Sequence, residues 1–345
     1  MSIDAFLRRT LAPVVQRVPV PGRFLRQRFF GRVYTFGTTD IDIDVVMPKR
    51  GMAPYVHPTL AGKVTSSQGY TMKTYTPPTL KPNKLITPDH LYVRRPSATL
   101  YDQGEDLAKV LDELMGERVA EINDEIAFRI EQQASKALFA GVIPVTGEGY
   151  NHIIDFNLPP THNIILLNAA AWDQVGTATP WDDLVNACRI NAQDGQVVSD
   201  TVVFGAEAWP LFREDLRAKG LLNMLNLDLG MISPTQIDPG TTYLGSIRDS
   251  DMNVDLFSYS ARYQDEDGTM KPYIPVDEVF VGSTLATGNQ ELYGAVQSLQ
   301  TSNFRGQIFI DVEFRKNPEL IELLPQSAPL IALLEPAAGT RIKVK

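Results

Sequence analysis

The feature that most constrains this chain is one uninterrupted helical stretch between Asp102 and Gly141. Leu107, Leu111, Met115, Val119, Ile122, Ile126 and Ile130 recur there at steps of four or three. That spacing puts them on one face of an α-helix. Asp102 followed by Glu105 is close to a capping box. Glu105 and Asp106 in the first turn and Lys136 in the last suit the helix dipole. Gly141 stops the helix and Pro144 prevents a restart. A helix over about residues 104–140 is roughly 55 Å long at 1.5 Å per residue, against about three turns for an average globular helix. With one apolar stripe and an acidic, solvated face, it is a beam. Gly116 in its middle costs up to about 1 kcal/mol against alanine and permits a bend. A long core helix of an ordinary enzyme would satisfy the same pattern.

The charge distribution narrows the choice. The net charge is −9, yet the first 96 residues sum to +10 and the remaining 249 to −19. A basic limb on an acidic body points to a limb that lies on an acidic surface, with nucleic acid as the competing partner. The one cysteine, Cys188, excludes intramolecular disulfides and the usual zinc frameworks. No apolar run approaches the roughly 20 residues of a membrane span. The first residues are not a secretory signal, because Asp4, Arg8, Arg9 and Pro13 interrupt them.

Residues 1–38 read as an arm. Ile3, Phe6, Leu7, Leu11, Val14, Val15 and Val18 have helical spacing, spoiled by Pro13. Docking on the same assembly outweighs binding to a membrane surface. The following Arg-aromatic piece reads either as a nucleic-acid surface or as an arm anchored through Phe24, Phe29, Phe30 and Tyr34, and the second is preferred. Asp40 to Val45 alternates strictly, as a strand with one wet face does. A metal site on Asp40, Asp42 and Asp44 lacks further ligands and is set aside. Residues 47–96 hold eight prolines, with strand-like pieces at Gly62–Ser66, Tyr70–Thr76 and His90–Arg95 and a turn at Ser67–Gly69. Such a basic hairpin cannot pack its own centre, so it projects and gains order from a partner.

After the helix, strands are expected at His152–Leu158 and Asn163–Leu167. Helices follow from Pro180 to about Ala192 and around Glu207–Lys219, with a buried strand at Thr201–Phe204 between them. Thr242–Leu244, Asp255–Tyr263, Lys271–Ile274 and Val279–Val281 read as short strands, with Asp265–Gly268 as a hairpin turn. Gln307–Phe314 alternates, and Pro329–Leu334 is a buried apolar run. The class is α+β without βαβ periodicity.

Chemistry is hard to find. There is no P-loop, Gly-x-Gly-x-x-Gly, His-Glu-x-x-His or Gly-x-Ser-x-Gly. His57, His90, His152 and His162 are scattered, and Cys188 has no catalytic signature. No catalytic, metal or cofactor-binding residue is assigned. The balance tilts toward a structural role.

Six stretches carry a resemblance: FLRQRFFGRVYTF, MAPYVHPTLAGKV, PPTLKPNKLITPDHLYVRRP, TVVFGAEAWPLFR, RYQDEDGTMKPYIPVDEVFVG and QSAPLIALLEP. In this order and spacing the chain resembles the major capsid proteins of tailed bacteriophages with the Hong Kong ninety-seven fold. It is most similar to the lambda-like branch, the phage major capsid protein E family. The resemblance implies an N-arm (1–38), an E-loop β-hairpin with its base (39–98), a peripheral domain on the spine helix (99–160 and 290–324) and an axial domain (161–289 and 325–345). It implies a virion shell protein that forms hexamers and pentamers and expands from a procapsid as DNA is packaged. Its expected partners are a scaffolding protein, a portal protein and, typically for lambda-like shells, a decoration protein. The packaged DNA is met by nonspecific proximity, against an inner wall expected to be acidic. No cofactor is implied.

The inter-subunit contacts expected are Phe29, Phe30 and Tyr34 from the arm, and Lys63, Lys73, Arg94 and Arg95 from the ribbon. The ribbon cations are expected to face helix acids of a neighbour, among them Asp112, Glu113, Glu117 and Glu121. Residues 102–140 carry a net −6 against +7 on residues 47–96. The rivals are an encapsulin-type shell, a shell with Lys–Asn crosslinks (Lys63, Lys73 and Asn303), and a soluble enzyme.

Overall fold

The computed structural model describes residues 24–46, 52–59, 61–62, 70–92, 107–147, 149–174, 176–218, 235–238, 240–249, 251–297 and 306–345. The proposed N-cap at Asp102, the amphipathic start of the arm, the turn at Ser67–Gly69 and most of the Gly62–Ser66 piece lie outside these residues.

The beam helix runs from Leu107 to Ala140, 34 residues or about 51 Å. Gly141 ends it with φ 68°, and its N–H bonds to the Ala137 carbonyl at 3.0 Å, a left-handed glycine stop. A Cβ there would lie 2.5 Å from the Leu158 Cβ. The two halves of the helix differ. From Leu111 to Glu125 one stripe is buried (Leu114, Met115, Val119, Ile122) and acids line the open side. From Ile130 to Phe139 almost every residue is buried, with Lys136 exposed and Gln132 half-buried. The expectation of a solvated face along the whole length is thus corrected. The C-terminal third is enclosed because two sheets pack on it. Gln133 donates to the Pro329 carbonyl at 3.4 Å and accepts from the Ile331 N–H at 3.3 Å. Ser135 donates to the Tyr273 carbonyl on another side.

A Cβ at Gly116 would meet nothing within 4 Å. Gly116→Ala is therefore expected to stabilise the free subunit by up to about 1 kcal/mol, read as a raised unfolding midpoint.

A three-stranded sheet runs in the order Arg32–Thr35, Gln290–Tyr293, Pro329–Ala332. Its first pair is parallel, with Arg32 beside Gln290. A second three-stranded sheet joins the hairpin Phe309–Lys316/Glu319–Gln326 to Lys84–Ile86 at the base of the ribbon. The largest sheet has seven strands, in the order Asn163–Ile165, Gly339–Lys343, Glu278–Gly282, Thr201–Phe204, Asn253–Tyr259, Thr241–Arg248, Thr235–Asp238. Helices Pro180–Asp194 and Ala208–Ala218 cover one face through Leu184, Phe212 and Leu216. The other face meets the core built on the long helix through Val203, Phe257 and Phe280.

The ribbon begins with Ile41–Val46 paired antiparallel to Tyr70–Tyr75. Asp40 and Asp42 accept hydrogen bonds from the Thr76 and Thr74 hydroxyls at 2.7 and 2.6 Å. The strand expected at His90–Arg95 is corrected. Pro88–Tyr92 is a short helix, since Pro88 suits a first helical position and the Thr87 N–H bonds to His90 Nδ1 at 3.1 Å. Residues 93–95 lie outside the described region. The hairpin turn at Asp265–Gly268 forms as expected, with the Gly268 N–H on the Asp265 carbonyl at 2.9 Å. Asp255–Tyr263 divides into strands Asn253–Tyr259 and Arg262–Gln264.

Candidate assembly surfaces

A chain that associates with itself must present surface it does not bury alone, so each expected contact residue is judged by its burial. The end of the arm fails that criterion. Phe24–Phe29 is a short helix packed into the body, with Phe29 4% and Phe30 1% exposed. Phe24 lies 4.9 Å from Phe257 between ring centroids, and Phe29 meets Phe280 edge-on at 5.3 Å. Phe29 and Phe30 are therefore corrected from inter-subunit contacts to intramolecular core. The sequence reading treated the arm as unable to bury them, but the body supplies the cavity.

Two carboxylates hold this helix. Glu131, fully buried on the long helix, accepts the Leu25 N–H at 3.0 Å, the Arg26 N–H at 3.1 Å and the Tyr259 hydroxyl at 2.8 Å. Glu291, 1% exposed, takes a two-pronged bond from Arg26 at 2.5 and 2.7 Å and a hydroxyl bond from Tyr293. Burial pulls the Arg26 guanidinium down, but Glu291, Tyr293 and Glu131 outweigh it and hold it above the usual arginine range. Burial and the nearby Glu291 push the Tyr293 phenol up. Arg28 donates to the Thr201 hydroxyl at 3.1 and 2.9 Å and lies over the Phe257 ring.

Tyr34 behaves differently. It is 46% exposed in the strand Arg32–Thr35, all four residues of which are exposed. Sequence reading placed Tyr34 with Phe29 and Phe30, and the structure separates it from them.

The ribbon is packed at its base and open beyond. Ile41 and Tyr75 are buried, whereas Met52 to Thr59 are all exposed. Lys73 is half-buried and lines a crevice of about 570 Å³ with His152, Asp155 and Asn157. Lys63, Arg94 and Arg95 lie outside the described residues. Of the helix acids, Asp112, Glu113 and Glu117 are exposed. Glu121 is engaged within its own chain: Arg118 bonds it at 2.7 Å, and Lys84 of the ribbon base stands 3.6 Å away. The Arg118 bond, against a smaller effect of burial, lowers its pKa. Lys84 also bonds Glu125 at 2.5 Å, which raises the lysine. Glu121 thus pairs within its own chain, where the ribbon base lies against the long helix, and its side chain stays 44% exposed.

Among the described residues, no cluster resembles a catalytic centre. Burial pushes the Cys188 thiol up to about 11, with a Ser199 hydrogen bond acting in the opposite direction. Cys188 is expected to resist iodoacetamide in the native subunit at pH 8 and to react once unfolded, as followed by mass spectrometry. His162 is fully buried between the Gly339 carbonyl and the Thr340 hydroxyl, each 3.0 Å from Nδ1, a structural placement.

Comparison with known proteins places this geometry. A family model described as phage major capsid protein E matches residues 8–344. The major capsid protein of Enterobacteria phage phi80 is 29% identical over 333 residues, 92% of each chain. That of Escherichia phage lambda is 28% identical over 344 residues, 94% of this chain and 95% of the other. Among solved structures, a candidate capsid protein of a prophage in E. coli CFT073 superposes with a TM-score of 0.68 at 20% identity, covering 99% and 97% of the two chains. The capsid of Myoviridae phage XM1 gives 0.50 at 12% identity, covering 93% and 91%. The architecture is mixed α+β and resembles that of Hong Kong ninety-seven-type capsids, and the encapsulin and enzyme alternatives give way to the family match. The chain belongs to the phage major capsid protein E family, and is a structural, non-enzymatic protein of the virion whose copies form the shell of the phage head.

Proposed function

We propose that this subunit forms its shell as hexamers and pentamers joined largely through the ribbon, the E-loop of the fold (39–98), which lies on the neighbouring subunit. The observation that carries this reading is the contrast along the ribbon: a buried base at Ile41 and Tyr75, and an outer stretch, Met52–Thr59, with no residue covered. Apolar side chains such as Met52 (93% exposed) and Tyr55 (105%) in so thin an element call for a partner surface. The long helix and residues 99–160 and 290–324 serve as the peripheral domain. Residues 161–289 and 325–345 serve as the axial domain around the capsomere axis. Scaffolding, portal and decoration proteins complete the particle, which expands from a procapsid around DNA that it meets without sequence recognition.

The open half of the long helix is the matching surface. Lys73, Arg94 and Arg95 of one copy face Asp112, Glu113 and Glu117 of the next. Each exposed pair contributes only about 0–1 kcal/mol, but the sum repeats at every contact and sets register. Lys73→Glu with Arg94→Glu is expected to block assembly at low salt, seen by sedimentation as subunits in place of shells. Adding Glu117→Lys and Asp112→Lys is expected to restore part of it. Shells formed normally by the ribbon variant at low and high salt alike would sink the charge pairing.

A further inference from the structure

Residues 24–38 touch the seven-stranded sheet, the long helix and the first three-stranded sheet in succession. Phe24 packs on Phe257 and Tyr259 of the seven-stranded sheet. Leu25 and Arg26 bond through their backbone to Glu131 of the long helix. The Arg26 side chain then pairs with Glu291 of the three-stranded sheet, and Arg28 returns to Thr201 of the seven-stranded one. Arg32–Thr35 adds a strand beside Gln290–Tyr293. The Phe36 N–H bonds to the Tyr293 carbonyl at 2.8 Å, and the Thr38 carbonyl accepts the Ala295 N–H at 2.9 Å. Ile41, the buried first residue of the ribbon's first strand, follows three positions later.

We propose that residues 24–38 are a coupler that ties the position of the ribbon to the junction of the long helix with the two sheets. The connection has little slack. Three residue steps separate the fixed Thr38 carbonyl from Ile41, at most about 11 Å when fully extended. The coupler is also two-state. Glu291 is buried and takes a two-pronged guanidinium bond from Arg26 of this segment beside the Tyr293 hydroxyl, and the buried Glu131 accepts the segment's Leu25 and Arg26 N–H groups. Withdrawal of Arg26 would leave the Glu291 carboxylate buried without its cation, so the segment is seated or displaced as a unit. A subunit whose ribbon settles on its neighbour therefore reports that event to its own sheet junction. This rests on the reading of the ribbon as the neighbour-contacting loop.

The test inserts Gly-Ser-Gly between the exposed Thr38 and Thr39 of the full chain. This leaves the seat of the coupler and the ribbon strands unchanged. The variant is labelled with nitrogen-15 and co-assembled with excess unlabelled wild type, so that shells form. Hydrogen exchange then compares free and assembled subunits. In wild type, assembly is expected to protect the ribbon strands and also to slow exchange at Gln290–Tyr293 about tenfold, within the span of ordinary coupled sites. In the insertion variant the ribbon strands gain the same protection, while Gln290–Tyr293 slows by less than about twofold, the coupling being lost. Equal slowing at Gln290–Tyr293 in both proteins overturns the coupler, as does no slowing in wild type whose ribbon is protected. A wild-type ribbon that gains no protection on assembly overturns the underlying reading, and the coupler with it.

Discussion

Replacing Arg26 with alanine is expected to destabilise the free subunit by about 3–5 kcal/mol, the range for removing one partner of a buried ion pair. The side chains of Arg26 and Glu291 are 12% and 1% exposed, so water does not replace the lost guanidinium. Glu291 would keep the Tyr293 hydroxyl as its one described side-chain donor. The loss is mostly the cost of an uncompensated buried charge and not the worth of the pair itself. Arg26→Met combined with Glu291→Leu should therefore recover part of it, since apolar replacements of similar volume are often neutral while the buried Tyr293 hydroxyl loses its acceptor. Urea unfolding of unassembled subunits measures both. A single variant that loses under about 1 kcal/mol would place the pair among solvent-screened ones.

Phe30→Ala is the second large effect, at about 3–5 kcal/mol for emptying an aromatic site in a packed core. Phe30 is 1% exposed within its own chain, so the loss must already appear in the free subunit. Tyr34→Ala gives the opposite split. With 46% of Tyr34 exposed, the free subunit should change by no more than about 0.5 kcal/mol, and the effect should fall on assembly. Paired measurements on free subunits and shells separate the two. A Phe30→Ala subunit of normal stability with a weakened shell would return Phe30 to the inter-subunit surface.

These two aromatics show where sequence reasoning ran out. Local pattern carried the long helix, its glycine stop, the alternating strands near Asp42 and Val312, the turn at Asp265–Gly268 and the apolar run from Pro329. All of these are set by neighbours a few residues apart. The seat of the Phe24–Phe29 helix is not local. Its contacts with Glu131 and Glu291 span 106 and 265 positions, and burial there depends on three distant segments meeting. A signal was present nonetheless. Ala127, Glu131, Ala134 and Leu138 form a second helical stripe beside the Ile122–Ile130 one, and all four are buried. Small residues around a lone acid mark a face that another backbone approaches closely. The internal pairing of Glu121 with Lys84 was hidden for a related reason. Net charge balances cannot tell a neighbour's lysine from Lys84 of the same chain, which the ribbon base delivers to it. The strands Val142–Gly147, Glu319–Gln326 and Gly339–Lys343 went unread because their residues do not alternate cleanly.

The order of the seven-stranded sheet bears on how the shell protein is made. Gly339–Lys343 is inserted between Asn163–Ile165 and Glu278–Gly282, and Ile342 within it is fully buried. During synthesis the sheet cannot close until residue 343 has left the ribosome. A nascent or prematurely stopped chain keeps two strand edges open, which favours capture by chaperones or proteolysis over entry into a growing lattice. Every copy must fit the same shell, and a defective one would leave a gap in it. Placing a late-made strand inside the sheet lets translation itself screen the building blocks.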